Sequence, residues 1–186
     1  MRRVCCLVLM LVFLLASSCL ALEYSADRLV TLKNNKKVES KVYYSDNKYR
    51  VVTEEKAGTV VLIYRFEKMI WWNLMANMKS YYENKIPEGW FGLVECNQIK
   101  PSGKPLAQEE INGDLCDKYM VYPDPKKKKL FVYMWVSRKH KMVVKTQVGD
   151  GSYMSELKNI SIGKQDPLLF EVPKGYKPFS LKWFLK

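Results

Sequence analysis

Histidine is almost missing from this 186-residue chain, which has only His140. A histidine-built metal site needs several ligands at fixed spacing, so composition excludes that class. His140 lies in Ser-Arg-Lys-His-Lys, a basic hairpin connection with no nucleophile motif beside it. It reads as a solvated turn rather than a catalytic base. The sequence has no Gly-x-Gly-x-x-Gly and no Walker pattern, which removes the common phosphate-cradling loops. It has no Cys-x-x-Cys, which removes dithiol redox chemistry. Acidic residues are few, 19 against 31 Lys and Arg. Glu54-Glu55 and Glu109-Glu110 are adjacent pairs; neighbours on a strand point to opposite faces, so neither forms an acid/base couple. No cofactor, metal or catalytic group can be assigned, and the chain is expected not to be an enzyme.

Long apolar runs are also lacking. The one at the start follows Arg2 and Arg3, spans residues 4–16 and ends in small residues. It is too short for a membrane span and has the layout of a secretory signal. Cleavage after Ala21 is favoured. The alternative is a loose lipobox, Ala16-Ser17-Ser18-Cys19, with Cys19 as a lipidated first residue. The mature single domain is then residues 22–186. Losing two Arg and no acid leaves 29 basic and 19 acidic side chains, so the net charge falls from +12 to +10. Of five cysteines, only Cys96 and Cys116 remain in the mature chain. An even count in an oxidising compartment makes a disulfide the default, contributing roughly 3 kcal/mol; two buried thiols are the alternative.

The chain is rich in aromatic residues, with 12 Tyr, 7 Phe and 5 Trp. After residue 22 they fall in short runs with Val and Ile, broken by Asn, Asp, Lys and Gly, the pattern of an antiparallel sheet. Strands are predicted over residues 22–32, 37–44, 48–53, 60–66, 69–75, 80–83, 106–111, 115–122, 130–137, 142–148, 153–162 and 168–172. Turns are expected at Asp46-Asn47 and Asn112-Gly113, the latter a strong hairpin signal. Residues 86–99 contain Pro87 and then Trp90, Phe91, Leu93 and Val94 at helical spacing, which predicts one short helix. The fold class is mainly β (α+β): a large curved antiparallel sheet, a half-open barrel or a sandwich.

Alternation along each strand assigns an inner face. The expected concave lining is Tyr44, Tyr49, Leu62, Tyr64, Ile70, Trp72, Leu74, Tyr119, Val132 and Met134, with Trp90 and Phe91 covering it. Large aromatic and methionine-containing walls adapt to acyl chains; equally, they fill a core. Arg28 breaks the apolar row of the first strand. Phe131, Tyr133 and Trp135 are apolar on the opposite phase, so that face must be covered or form an interface. Lys126 to Lys129 can attract anionic headgroups or keep a sheet edge from pairing. Nucleic acid is not expected as a partner of an exported protein. Asn159-Ile160-Ser161 fits the N-glycosylation pattern, which matters only in a eukaryotic source.

Several motifs follow one another along the chain: Tyr24-Ser25-Ala26-Asp27-Arg28, Val42-Tyr43-Tyr44, Lys48-Tyr49-Arg50-Val51, Ile63-Tyr64-Arg65, Ile70-Trp71-Trp72-Asn73-Leu74-Met75, Cys116-Asp117-Lys118-Tyr119 and the closing Leu169-Phe170-Glu171-Val172-Pro173-Lys174-Gly175-Tyr176. Over residues 24–179 this order resembles an exported bacterial family grouped with the outer-membrane lipoprotein carriers and receptors, the LolA/LolB-like fold. The resemblance implies an unclosed barrel around covering helices, a cavity for lipid acyl chains, and the periplasm of a Gram-negative bacterium. It also implies that Arg50 contacts the lid or a headgroup. The expected function is an envelope protein holding a lipid or lipoprotein acyl chain, with contact to an anionic membrane surface left open. The rival is a structural or sensory module with a filled core and an envelope protein partner.

Overall fold

The computed structural model describes residues 22–90, 92–126 and 130–179. The expected signal (residues 1–21), Phe91 and residues 127–129 of the lysine run lie outside the described residues. Twelve strands follow one another: β1 (Glu23–Leu32), β2 (Lys37–Ser45), β3 (Lys48–Glu55), β4 (Gly58–Arg65), β5 (Ile70–Met75), β6 (Ser80–Lys85), β7 (Ala107–Ile111), β8 (Asp114–Val121), β9 (Val132–Ser137), β10 (Val143–Val148), β11 (Tyr153–Ile162) and β12 (Lys177–Pro178). One helical turn, α1 (Gly92–Glu95), interrupts them.

All twelve strands form one sheet in the order β12-β6-β5-β4-β3-β2-β1-β11-β10-β9-β8-β7. Two meanders, β1–β6 and β7–β11, join through the antiparallel pair β1·β11. The end strands β12 and β7 do not meet, so the sheet is the unclosed half-barrel expected from the sequence. The β1–β2 connection uses Asn35, and the β2–β3 connection Asp46 and Asn47, all at positive φ that Asn and Asp tolerate at small cost. Asn112 (φ 51) and Gly113 (φ 79) form the two-residue β7–β8 turn.

Hydrogen-bond register turns the alternation of single strands into rows across the sheet. One row runs Tyr24, Tyr44, Tyr49, Tyr64, Trp71 over five strands. The next runs Ala26, Val42, Val51, Leu62, Asn73. These rows share the concave face, and α1 lies over it: Trp90 and Leu93 pack on the tyrosine row, and Val94 and Ile99 pack on Val121, Val132, Met134 and Val143.

Here the structure corrects the inner-face assignment. Ile70, Trp72 and Leu74 lie on the opposite, convex face, where Trp72 and Leu74 cluster with Val61, Ile63 and Phe170 and Ile70 packs against them. The β4–β5 turn sets this. Residues 66–69 turn through a 3-10 segment, with Met69 left-handed at φ 52, and pair Tyr64 with Trp71 and Ile63 with Trp72. Each strand alternates as read, but the turn fixes their relative phase, and a one-residue change of register exchanges the faces.

The convex face of β3–β6 is covered by the chain's own C-terminal segment. The expected strand over 168–172 is instead a 3-10 turn, Pro167–Phe170, started by Asp166, whose carboxylate accepts from the Leu168 N–H at 2.9 Å. Pro167 suits the first turn position because it has no N–H to satisfy. Phe170 is fully buried. The Arg65 guanidinium donates to the Phe170 carbonyl at 3.3 Å and to both Glu171 carboxylate oxygens at 2.9 Å, and lies 5.5 Å from the Trp72 ring centroid. Arg50 donates to the Leu169 carbonyl at 2.8 Å, so it fastens the tail on the convex side and does not contact the cover of the concave face.

The face carrying Tyr133 and Trp135 is covered by lysine. The Lys118 ammonium sits 4.8 Å and Lys145 4.9 Å from the Trp135 ring centroid, and Lys118 also lies 5.1 Å from Tyr133. Trp135 Nε1 donates to Glu109 at 2.8 Å, and Lys118 pairs with the same carboxylate at 2.9 Å. Lysine stems shield the rings while their charges stay near water.

Candidate functional site

Arg28 projects from β1 onto the concave face, where an unpaired charge would be costly. Its partner is Glu95, the last residue of α1. Arg28 Nε donates to Glu95 Oε1 and to Ser155 Oγ at 3.2 Å, and its Nη2 donates to the Tyr153 hydroxyl oxygen. Tyr153 donates to Glu95 Oε2 at 2.8 Å and Ser155 donates to Oε1 at 3.0 Å. The Glu95 carboxylate is thus seated on three donors from β1 and β11. Side-chain exposure is 15% for Arg28 and 7% for Glu95, so this is a buried ion pair. Burial opposes the guanidinium charge, yet the adjacent Glu95 carboxylate leaves its pKa well above the ordinary value.

Around the pair stand hydroxyls with no partner: Tyr24, Tyr49, Ser40 and Thr146. Ser40 pairs with Arg28 across β1–β2, and Thr146 with Ser155 across β10–β11, so both border the cluster. Burial pushes the Tyr24 and Tyr49 hydroxyls well above the usual phenol range, and both feel the charges of Arg28 and Glu95.

The segment carrying Glu95 is fastened to the sheet by side chains. Among the described residues, the backbone N–H groups of Trp90, Leu93, Cys96, Asn97, Gln98 and Ile99 bond only to carbonyls of residues 87–94. The sheet is reached through Glu95, through Asn97 Oδ1 accepting from Val143 N–H at 2.7 Å, and through Gln98 donating to the Tyr44 hydroxyl at 3.4 Å. A cover attached this way can leave without breaking the strand ladder.

Beside the cover an apolar cavity of about 210 Å³ is lined by Tyr64, Trp71, Ile86, Pro87 and Trp90. The Trp90 ring stacks on Tyr64 at 5.1 Å, and Tyr64 in turn contacts Trp71 at 6.2 Å and Phe66 at 6.0 Å. Gly92 permits the stack, because a Cβ there would come within 2.3 Å of the Trp90 ring carbons.

The residues expected to form one lining therefore divide. Tyr44, Tyr49, Leu62, Tyr64 and Trp90 meet in one concave cluster. Tyr119, Val132 and Met134 form a second under Val94. Ile70, Trp72, Leu74 and Arg50 serve the other face. The expected disulfide is absent: Cys96 and Cys116 are buried free thiols, and Cys116 Sγ donates to the Asp114 carbonyl at 3.3 Å. Burial raises both thiol pKa values, Cys116 to about 11.

Sequence reasoning missed Arg28, Glu95, Tyr153 and Ser155; the signal was the break that Arg28 makes in an apolar row. His140 is also not simply solvated. Its Nε2 lies 3.6 Å from Asp114 Oδ2, which accepts from Ser137 Oγ at 2.6 Å. Asp114 stands between the other two, so the imidazole is not placed to take the serine proton. Among the described residues no group of three or more His, Cys, Asp or Glu could hold a metal ion. No helix there is long and apolar enough to cross a membrane, which says nothing of a β-barrel. A further cavity of about 530 Å³ is an open trough on the convex face beside Asp27, Leu29, Lys41 and Val52.

No protein-family model matches the sequence, and no curated protein does. Solved structures do resemble it. An uncharacterized conserved protein from Thermus thermophilus has 8% identity and a TM-score of 0.59, covering 86% of this chain and 91% of its own. PNGF-II has 12% identity and a TM-score of 0.49 over 89% of this chain but only 32% of its own. A LolA superfamily protein from Nitrosomonas europaea has 9% identity and a TM-score of 0.42 over 81% of this chain and 90% of its own. At 8% identity, the likeness to the Thermus thermophilus protein is one of fold.

Proposed function

We propose that this chain is an exported, non-enzymatic binding protein that holds an apolar chain, such as a lipid or lipoprotein acyl chain, between the concave tyrosine row and the segment 87–99. The observation that carries this reading is the aromatic cavity under Trp90, bounded by a cover that, among the described residues, is fastened to the sheet through the side chains of Glu95, Asn97 and Gln98. Displacing the cover would extend that cavity along Tyr64, Tyr49 and Tyr44, and apolar burial at roughly 25 cal/mol per Å² would drive binding. The sequence resemblance supports the envelope as the location, either free after cleavage at Ala21 or anchored through Cys19.

The test is native mass spectrometry after mild extraction, followed by titration of the delipidated protein with decanoate and 1-decanol while Trp fluorescence is recorded. Co-purified lipid and saturable quenching or enhancement are expected. A clean apo mass with no fluorescence response to either amphiphile rejects the reading. That outcome would favour the second one, an envelope interaction module, for which the filled centre of the concave face under α1 speaks.

A further inference from the structure

The buried ion pair has the composition of a ligand site occupied by the protein itself. Glu95 presents a carboxylate on a short segment, and β1 and β11 receive it with a guanidinium, a phenol and a serine hydroxyl. Those three donors stay with the sheet when the segment leaves. The fully buried hydroxyls of Tyr24 and Tyr49 are unpartnered beside them, so the pocket holds more hydrogen-bonding capacity than Glu95 uses. With Glu95 gone, Arg28 would be a buried charge without its counter-ion and would demand an anion. The aromatic cavity opens on the same concave face, in the same cluster as Tyr24 and Tyr49.

We infer that Glu95 is an internal stand-in for the ligand's head, and that the site accepts an amphiphile ending in a carboxylate, with Arg28, Tyr153 and Ser155 binding the carboxylate in place of Glu95. This rests on the proposed apolar-chain binding and names its substrate class. Arg28 then serves twice: it closes the empty protein and selects the ligand.

The experiment measures dissociation constants for decanoate and 1-decanol at about pH 7.5, where the acid is ionised, on the wild type, Glu95→Ala and the double variant Arg28→Gln/Glu95→Gln. Glu95→Ala should bind decanoate at least tenfold more tightly than the wild type, with decanol changing by less than threefold. The double variant should bind both amphiphiles alike. Equal response of decanoate and decanol to Glu95→Ala overturns the inference and leaves apolar-chain binding standing. Binding of neither amphiphile to any of the proteins rejects both. If Glu95→Ala does not fold alone, it is refolded with each amphiphile: rescue by decanoate and not by decanol supports the inference, and rescue by both or neither overturns it.

Discussion

Arg28 and Glu95, 67 residues apart in the chain, form the ion pair that fixes α1 to the concave face. Removing one member leaves the other charged, buried and unpaired. Glu95→Ala should therefore lower unfolding stability by about 3–5 kcal/mol in urea melts, whereas Arg28→Met/Glu95→Met, which removes both charges, should cost clearly less. A double variant as unstable as Glu95→Ala would show that the pair acts through packing alone.

The C-terminal segment makes a second long-range attachment. Phe170 is fully buried against Val61, Ile63, Trp72 and Leu74, and Arg65 and Arg50 hold the carbonyls on either side of the bond that follows Leu169. Phe170→Ala should destabilise by about 3–5 kcal/mol in denaturant melts. Leu168→Ala, two residues away and 76% exposed, should change stability by less than about 0.5 kcal/mol.

The limits of the sequence reading have a common cause. Eleven of the strands are legible because Val, Ile and aromatics alternate between turn residues with obvious chemistry, as at Asp46-Asn47 and Asn112-Gly113. Trp72 is misplaced by sequence alone because its face depends on how the turn 66–69 registers β5 on β4, and neither strand encodes that by itself. Arg50 stands in the motif carrying the resemblance, which favours it over Arg28 as the contact to the cover, yet the register puts it on the far side of the sheet. Arg28 and Glu95 are each ordinary along the chain, and only the packing of α1 across β1 and β11 makes them a pair.

The thiols of Cys96 and Cys116 should behave as buried groups. Burial holds both above the usual thiol range, Cys116 at about 11, so little thiolate forms at pH 8 or so. Unreduced native protein lacking residues 1–21 should react negligibly with a thiol reagent, and the same sample in guanidinium should show two reactive thiols. Reaction of none would mean that Cys96 and Cys116 are bonded to each other.

Stability should fall in acid through the convex-face carboxylates. The hydrogen bonds from Lys118 and Trp135 hold Glu109 below the ordinary glutamate range, as those from Asn159 and Lys41 do for Asp27. A carboxylate whose folded pKa is depressed contributes stability above its unfolded value. That contribution is lost as pH falls from about 4.3 through the folded pKa. Glu109→Gln should flatten the pH dependence of the urea midpoint between about pH 5 and pH 3, and salt should mute the effect because the pair is partly exposed.

Gly92 tests whether the aromatic stack closes the cavity. A Cβ at this position meets the Trp90 ring at 2.3 Å, while the ring rests on Tyr64 with centroids 5.1 Å apart. The backbone at Gly92 needs no left-handed conformation, since its φ is not among the positive ones, so alanine perturbs packing and little else. Gly92→Ala should displace the indole from Tyr64, shift Trp emission and cost about 1–3 kcal/mol as an overpacking change. If the cavity under Trp90 is the mouth of an acyl-chain site, the same variant should also admit decanol faster in stopped-flow mixing, because the ring no longer seals the entrance. A slower or unchanged rate beside a shifted emission would place the entrance elsewhere on the concave face.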